Sequence, residues 1–252
     1  MRINKFKKVG TNKYRVYFDN NSLLLYEDVI LKYNLLYKKD IDSDLLIEID
    51  KENKKASIYD IALKYIGVRM RSVKELKEYL IRKKFDSKDI EDTIDKLIYQ
   101  GLLNDKSFAK SYVSDKIHLT NNGLDKIRND LEKLGVEESF INEALSSIDK
   151  NILLDKLNKI IEKEVKINSK LPIGKIKNKI VNKCINLGYK LEDINSILNN
   201  YVLISTSNIK NDYDKLYKKY SNKYDKYKLD SVLKSKLYQE GYSIEEINKI
   251  IN

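Results

Sequence analysis

Few side chains in this sequence have a type and spacing that could carry covalent chemistry. The only histidine, His118, falls near the end of a predicted helix, with no nucleophile and carboxylate at triad-like spacing. It reads as a surface or helix-end residue. The single cysteine, Cys184, excludes an internal disulfide and occupies a position that leucine fills elsewhere in an internal repeat, so a small buried hydrophobe is expected. Ser107-Phe108-Ala109-Lys110 matches the Ser-x-x-Lys string of penicillin-binding enzymes, but its companion motifs are missing. There is no glycine-rich phosphate loop and no paired-cysteine zinc motif. Carboxylates abound, yet most have Lys or Arg three or four residues away, as Glu78 has Arg82, which is the spacing of solvated pairs on a helix. No catalytic residue, metal or cofactor is therefore expected, and the chain reads as a binding protein and not an enzyme.

Recognition chemistry is better represented. The formal net charge is +11, with only 6 arginines among the 49 basic residues. An AT-rich genome would favour Lys, Asn, Ile and Tyr, so part of the excess can be codon bias, and the distribution is more informative than the total. Residues 1–55 sum to +3, residues 56–150 to 0 and residues 151–252 to +8. Seven lysines (Lys166, Lys170, Lys175, Lys177, Lys179, Lys183 and Lys190) follow one another with no Asp or Glu between them, an electrostatic footprint suited to phosphates. Arg69, Arg71, Arg82 and Arg128 stand out in a lysine-rich chain, because guanidinium offers a planar fork for carboxylate or phosphate. They are either partner contacts or ion pairs between repeats. Tyr213, Tyr217, Tyr220, Tyr224 and Tyr227 alternate with lysines as a strand-stacking surface would, but their helical spacing favours a packed stripe.

These residues need a scaffold, and composition points to helices. The chain has 42% apolar residues, one Pro and 8 Gly, which leaves little material for the turns of a β-sandwich. No apolar run approaches the roughly 18 residues of a membrane span, and Met1–Lys8 lacks the apolar stretch of a signal peptide, so a cytoplasmic location with no membrane contact is expected. Tyr14–Phe18 and Leu23–Leu25 flank the turn-forming Asp19-Asn20-Asn21-Ser22, which predicts a small β-hairpin. Val29, Ile30, Tyr33 and Leu36, then Leu45, Leu46 and Ile49 behind Ser43 as a possible cap, predict short helices beside it.

After residue 55 one pattern is written four times. Leu80 with Phe85 and Ile90 aligns with Leu131, Val136 and Ile141 at an offset of 51, and the frame returns at Cys184, Tyr189 and Ile194 and at Leu237, Tyr242 and Ile247, each shifted by 53. Gly135, Gly188 and Gly241 fit left-handed helix ends, and Ser72 with Glu75 and Ser243 with Glu246 form capping boxes. The predicted fold is mainly α: tandem three-helix repeats at 56–104, 105–150, 151–203 and 204–252, following an N-terminal region of hairpin and short helices at 1–55. Stacked units of this kind form an elongated curved rod.

The central residues resemble a known family. Arg69-Met-Arg71-Ser72-Val-Lys-Glu75-Leu76, then Gly101-Leu102-Leu103-Asn104-Asp105-Lys-Ser-Phe108-Ala109, then Gly123 and Gly135, are similar in order and spacing to RecX, the bacterial regulator of the RecA recombinase. The chain departs from the family at Asn104, where Asp is usual, and in having four apparent units with an added N-terminal region. The resemblance implies a monomeric, cytoplasmic modulator of recombination, DNA repair and the SOS response. It would lodge on the RecA–DNA filament, lower its ATPase and strand-exchange activity, and touch single-stranded DNA weakly. It also implies packing and capping roles for Asp105, Phe108, Ala109, Gly123 and Gly135. The alternative from the residues alone is a stand-alone DNA-binding repeat protein that does not act on RecA.

Overall fold

The computed structural model describes residues 1–19, 21–203 and 205–251, which carry three strands and thirteen helices. Strands β1 (Ile3–Lys8), β2 (Lys13–Phe18) and β3 (Asn21–Tyr26) form an antiparallel sheet in that order. Two of the strands are the expected hairpin. The third, β1, is an addition, because INKFKK has too little apolar alternation to announce a strand. The expected turn is shorter than predicted: Asn21 and Ser22 already belong to β3, and Asn20 lies outside the described residues. Alternation drives the burial, with Val16 and Phe18 of β2 turned inward against Leu25 of β3 and against Val29 and Ile30 of α1 (Glu27–Lys32).

Helix α2 (Ser43–Ile66) differs from the short helices expected there. It runs unbroken for 24 residues across residue 55, because no Gly or Pro interrupts it. Its N-cap is Asp42, whose side chain accepts from the Leu45 N–H; Ser43 is the first helical residue. Helices α3 (Val73–Arg82) and α4 (Ser87–Tyr99) close with α2 around Ile58, Ala62, Leu76, Leu80, Ile90, Ile94 and Leu97. Next come α5 (Asp105–Leu119), α6 (Leu124–Lys133) and α7 (Glu138–Ser146). Helices α8 (Lys150–Ile167), α9 (Ile173–Asn186) and α10 (Leu191–Leu198) enclose Leu157, Ile161, Ile176, Ile180, Cys184 and Ile194. The smallest core, around Leu237, Tyr242 and Ile247, belongs to α11 (Ile209–Tyr220), α12 (Lys226–Gln239) and α13 (Ile244–Ile251).

The aligned positions Leu80, Leu131, Cys184 and Leu237 are all fully buried, each leucine contributing about 2 kcal/mol by leaving water. Backbone geometry repeats as well. Lys84, Gly135, Gly188 and Gly241 all have positive φ at the ends of α3, α6, α9 and α12, the conformation that ends a helix and that glycine adopts without strain. No helix among the described residues is long and apolar enough to cross a membrane. The chain divides into two compact bodies, Met1–Ala109 with Glu132–Phe140, and Lys110–Leu131 with Ile141–Asn252.

Candidate partner-binding surfaces

Within the first body, the start of α3 gathers most of the chemistry. Ser72 accepts from the Glu75 N–H while the Glu75 carboxylate accepts from the Ser72 N–H, a complete capping box. The Ser72 hydroxyl also donates to the Leu134 carbonyl at 2.7 Å, and Lys74 Nζ donates to the Lys133 carbonyl, so this helix start grips the end of α6. Arg69 and Arg71 both reach Glu75, at 2.6 and 3.3 Å. Burial works against the Glu75 charge, but the hydrogen bond from Arg69, the Ser72 N–H and Arg71 outweigh it and hold the carboxyl below its usual range.

The two arginines differ in what remains free. Arg71 has a side chain only 15% exposed and lies 4.2 Å above the Tyr65 ring, which stacks on Tyr79 with centroids 3.9 Å apart. It is part of the packing. Arg69 is 53% exposed and keeps donor capacity for a partner. Arg82 is exposed at the far end of α3, about 14 Å along the axis from the start of that helix. Arg128, on α6, lies in the second body and is half-buried. Of the three arginines in the first body, Arg69 and Arg71 meet at Glu75.

The motif residues hold the frame. Asn104 caps its own helix by accepting from the Ser107 N–H, which leaves Asp105 free for another task. The Asp105 Oδ1 accepts from the Val73 N–H at 2.9 Å, capping α3 from 32 residues away. Burial raises its pKa, the Val73 bond opposes the rise and the Glu75 charge adds to it, leaving the group above the ordinary Asp value. Phe108 and Ala109 are buried. In the second body, Gly123 meets the end of α9: its N–H donates to Leu187 O at 2.6 Å, and the Asp125 N–H donates to Gly188 O at 3.2 Å. The same arrangement recurs 51 residues on, where the Gly174 N–H donates to Gly241 O at 3.1 Å. A Cβ on Gly123 would sit 2.3 Å from Gly188 O, so only glycine fits. At Gly135 the Lys74 side chain occupies the corresponding space.

The lysine segment requires a correction. Although the sequence from Lys166 to Lys190 is free of acids, three of its lysines have acidic partners, one on the same helix and two brought up by helix packing. Lys166 pairs with Glu162 at 2.6 Å, Lys183 with the buried Glu164 at 2.6 Å, and Lys175 with Glu240. Among the described residues, Lys170, Lys177, Lys179 and Lys190 form no ion pair and are exposed. Nor is the segment one patch: Lys175, Lys179 and Lys183 share a face of α9, while Lys177 points roughly 200° away from Lys175.

The remaining candidates follow their expected roles, with one exception. His118 is exposed and bonds to Ser114 one turn back. Burial pushes the Cys184 thiol up to about 11, the state of an inert core cysteine. The tyrosine run is not a buried stripe. Tyr213 packs on the last core, but Tyr217 is 45% exposed, because α11 contributes no fully buried residue, and Tyr227, in the first turn of α12, is 92% exposed. Sequence reasoning missed Lys156, whose ammonium donates to the carbonyls of Ile117 and Thr120 at the end of α5. One lysine among 43 carries no sequence signal for that role.

Comparison with known proteins agrees with this frame. Two family models match in succession, RecX first three-helix domain at residues 59–97 and RecX second three-helix domain at residues 104–145. A regulatory protein RecX of Streptococcus agalactiae is 27% identical over 257 residues, covering 100% of this chain and 98% of the relative. One from Lactococcus lactis is 28% identical over 259 residues, covering 99% and 95%. A crystal structure of regulatory protein RecX is similar in fold, with a TM-score of 0.67 at 22% identity over 79% of this chain and 98% of that one. The crystal structure of RecX from Lactobacillus salivarius gives a TM-score of 0.55 at 26% identity over 59% and 96%. Both family domains are matched in order and relatives align from end to end, so the chain is similar to RecX proteins along its whole length.

Proposed function

We propose that this protein is a non-enzymatic, monomeric, cytoplasmic regulator of homologous recombination and DNA repair that binds the RecA–DNA filament and lowers its ATPase and strand-exchange activity. The observation that carries this reading is the end-to-end match to proteins named for a regulatory role. Multivalency supports it physically. We divide the chain after residue 55 into four three-helix units, at 56–104, 105–150, 151–203 and 204–252. The grips of Ser72 on Leu134, Gly123 on Gly188 and Gly174 on Gly241 fix neighbouring helices rigidly within each body. Several weak contacts held in fixed geometry raise one another's effective concentration, so modest contacts sum to useful affinity.

Contacts in this reading come from exposed cations with charge to spare: Arg69, Arg82, Lys170, Lys177, Lys179 and Lys190. They suit the carboxylates of a protein partner and the phosphates of the single strand inside the filament. Arg71, Lys175 and Lys183 are assigned to holding the fold, and Arg128 to a lesser contact. Co-sedimentation tests the proposal. The protein should pellet with RecA filaments well beyond its recovery on naked single strands at the same salt. Equal recovery on both would replace this reading with a stand-alone DNA-binding protein.

A further inference from the structure

The outer face of the N-terminal sheet is the strongest surface left without a role. Residues 1–18 carry six cations (Arg2, Lys5, Lys7, Lys8, Lys13 and Arg15) and no Asp or Glu. With Tyr14, Val16 and Phe18 directed to the core, the pleat turns Arg15 and Tyr17 of β2 outward. Register then sets their neighbours: Lys7 lies opposite Arg15, Lys5 opposite Tyr17, and on the other side Leu24 and Ser22 of β3. Lys5, Lys7 and Arg15 are exposed, and none forms an ion pair among the described residues. Lys13, by contrast, is drawn to Asp60 and the Tyr26 ring.

Lysines on β1 have an ordinary explanation, since charge on an edge strand blocks pairing with another chain. That explanation does not extend to β2. Arg15 sits on the central strand, directly across from Lys7, and like charges placed opposite one another destabilise a sheet. Tyr17 lies two residues from Arg15 on the same face, half-buried, with the small Ser22 beside it. A surface with cations around an aromatic ring is what a single strand needs: phosphates meet the charges, and a base stacks on the ring whatever its identity.

We propose that this sheet face binds single-stranded nucleic acid through Lys5, Lys7, Arg15 and Tyr17. The surface is distinct from the arginine and lysine candidates above, and it extends the weak strand affinity of the proposed function to a site of its own. The test is fluorescence anisotropy of labelled oligo(dT) with the full chain, with the sheet's integrity checked by circular dichroism. K5Q/K7Q/R15Q should flatten the plot of log K against log salt by about 2, at about 0.7 per phosphate for single strands. Tyr17→Ser should weaken binding about tenfold while Tyr17→Phe preserves it, as stacking requires. K5E/K7E keeps the edge charged but reverses its sign, so it should abolish binding at this face. If K5E/K7E and the triple variant bind oligo(dT) like the parent, the lysines protect the edge and the proposal fails. It fails equally if these variants lose only co-sedimentation with RecA filaments, since the face would then meet protein. A parent chain that binds no oligo(dT) at low salt overturns the strand site while leaving inhibition of RecA to be decided by its own assay.

Discussion

Replacing Gly123 by alanine tests whether the backbone grip between helices holds the second body together. The new Cβ would lie 2.3 Å from Gly188 O, 2.6 Å from Gly188 C and 2.8 Å from Tyr189 N, all of them backbone atoms that no rotamer change can move aside. Gly123 does not have a positive φ, so alanine is acceptable locally and the cost comes from the contact. Forcing the start of α6 away from the end of α9 costs about 1–3 kcal/mol as overpacking. Weakening the bonds from Gly123 N–H and Asp125 N–H adds about 1 kcal/mol for each bond lost. A net loss of about 3 kcal/mol corresponds to a fall in Tm of about 9 °C for a chain of this size. Gly101→Ala is the control: φ is +71° but nothing lies within 4 Å, so only conformational strain of about 1 kcal/mol applies. Thermal unfolding followed by circular dichroism measures both. If Gly123→Ala melts within about 2 °C of the parent, or loses less than Gly101→Ala, the grip contributes no stability and the argument for rigid neighbours fails.

Asp105 gives a pH-dependent prediction. Because burial raises its folded pKa, its favourable contribution is full below the ordinary Asp value and is lost as pH rises through the folded one. Asp105→Asn keeps an acceptor for the Val73 N–H without the charge, so it should be at least as stable as the parent at pH 7 and lose that advantage towards pH 4 in denaturation titrations. Asp105→Ala strands the Val73 N–H and should cost about 1 kcal/mol. Arg71→Ala should cost about 2 kcal/mol through the lost Tyr65 and Glu75 contacts, whereas Arg69→Ala should cost less than about 0.5 kcal/mol; a fall in filament affinity for Arg69→Ala with unchanged Tm identifies a partner contact. K177Q/K179Q should flatten the salt dependence of oligo(dT) binding by about 1.4 with no change in Tm, and an unchanged slope would show these lysines to be merely solvated. Lys183→Gln, in contrast, should lower Tm because it leaves the Glu164 carboxylate buried without its cation.

The repeat was legible because it rests on local rules. An apolar position, a left-handed residue and a second apolar face recur with fixed spacing, so Leu80, Leu131, Cys184 and Leu237 align without a structure and prove to be buried. Gly135, Gly188 and Gly241 announced their helix ends for the same reason, and Lys84 adopts the same conformation where no glycine marks it. Strand β1 was not legible, because its outward lysines follow no apolar alternation and its pairing partner lies in β2. Charge was the least legible feature. The acid-free run from Lys166 to Lys190 looked unpaired because Glu164 and Glu240 reach Lys183 and Lys175 only through helix packing, which has no sequence signature, whereas Glu162 pairs with Lys166 at the local i,i+4 spacing from just outside the run. Asp105 was rightly assigned to capping, but the helix it caps begins at Val73, a pairing that sequence spacing does not reveal.

Titration of RecA tests the central claim most directly. Strand exchange and DNA-dependent ATP hydrolysis by RecA are measured as the full chain is added, alongside its binding to the same naked strand. If the protein acts on the filament through several rigidly held contacts, both activities should fall at fewer molecules than RecA protomers, and Gly123→Ala should inhibit less well below its melting temperature. Should both activities remain untouched at equimolar protein while the chain still binds DNA, the regulator reading is contradicted.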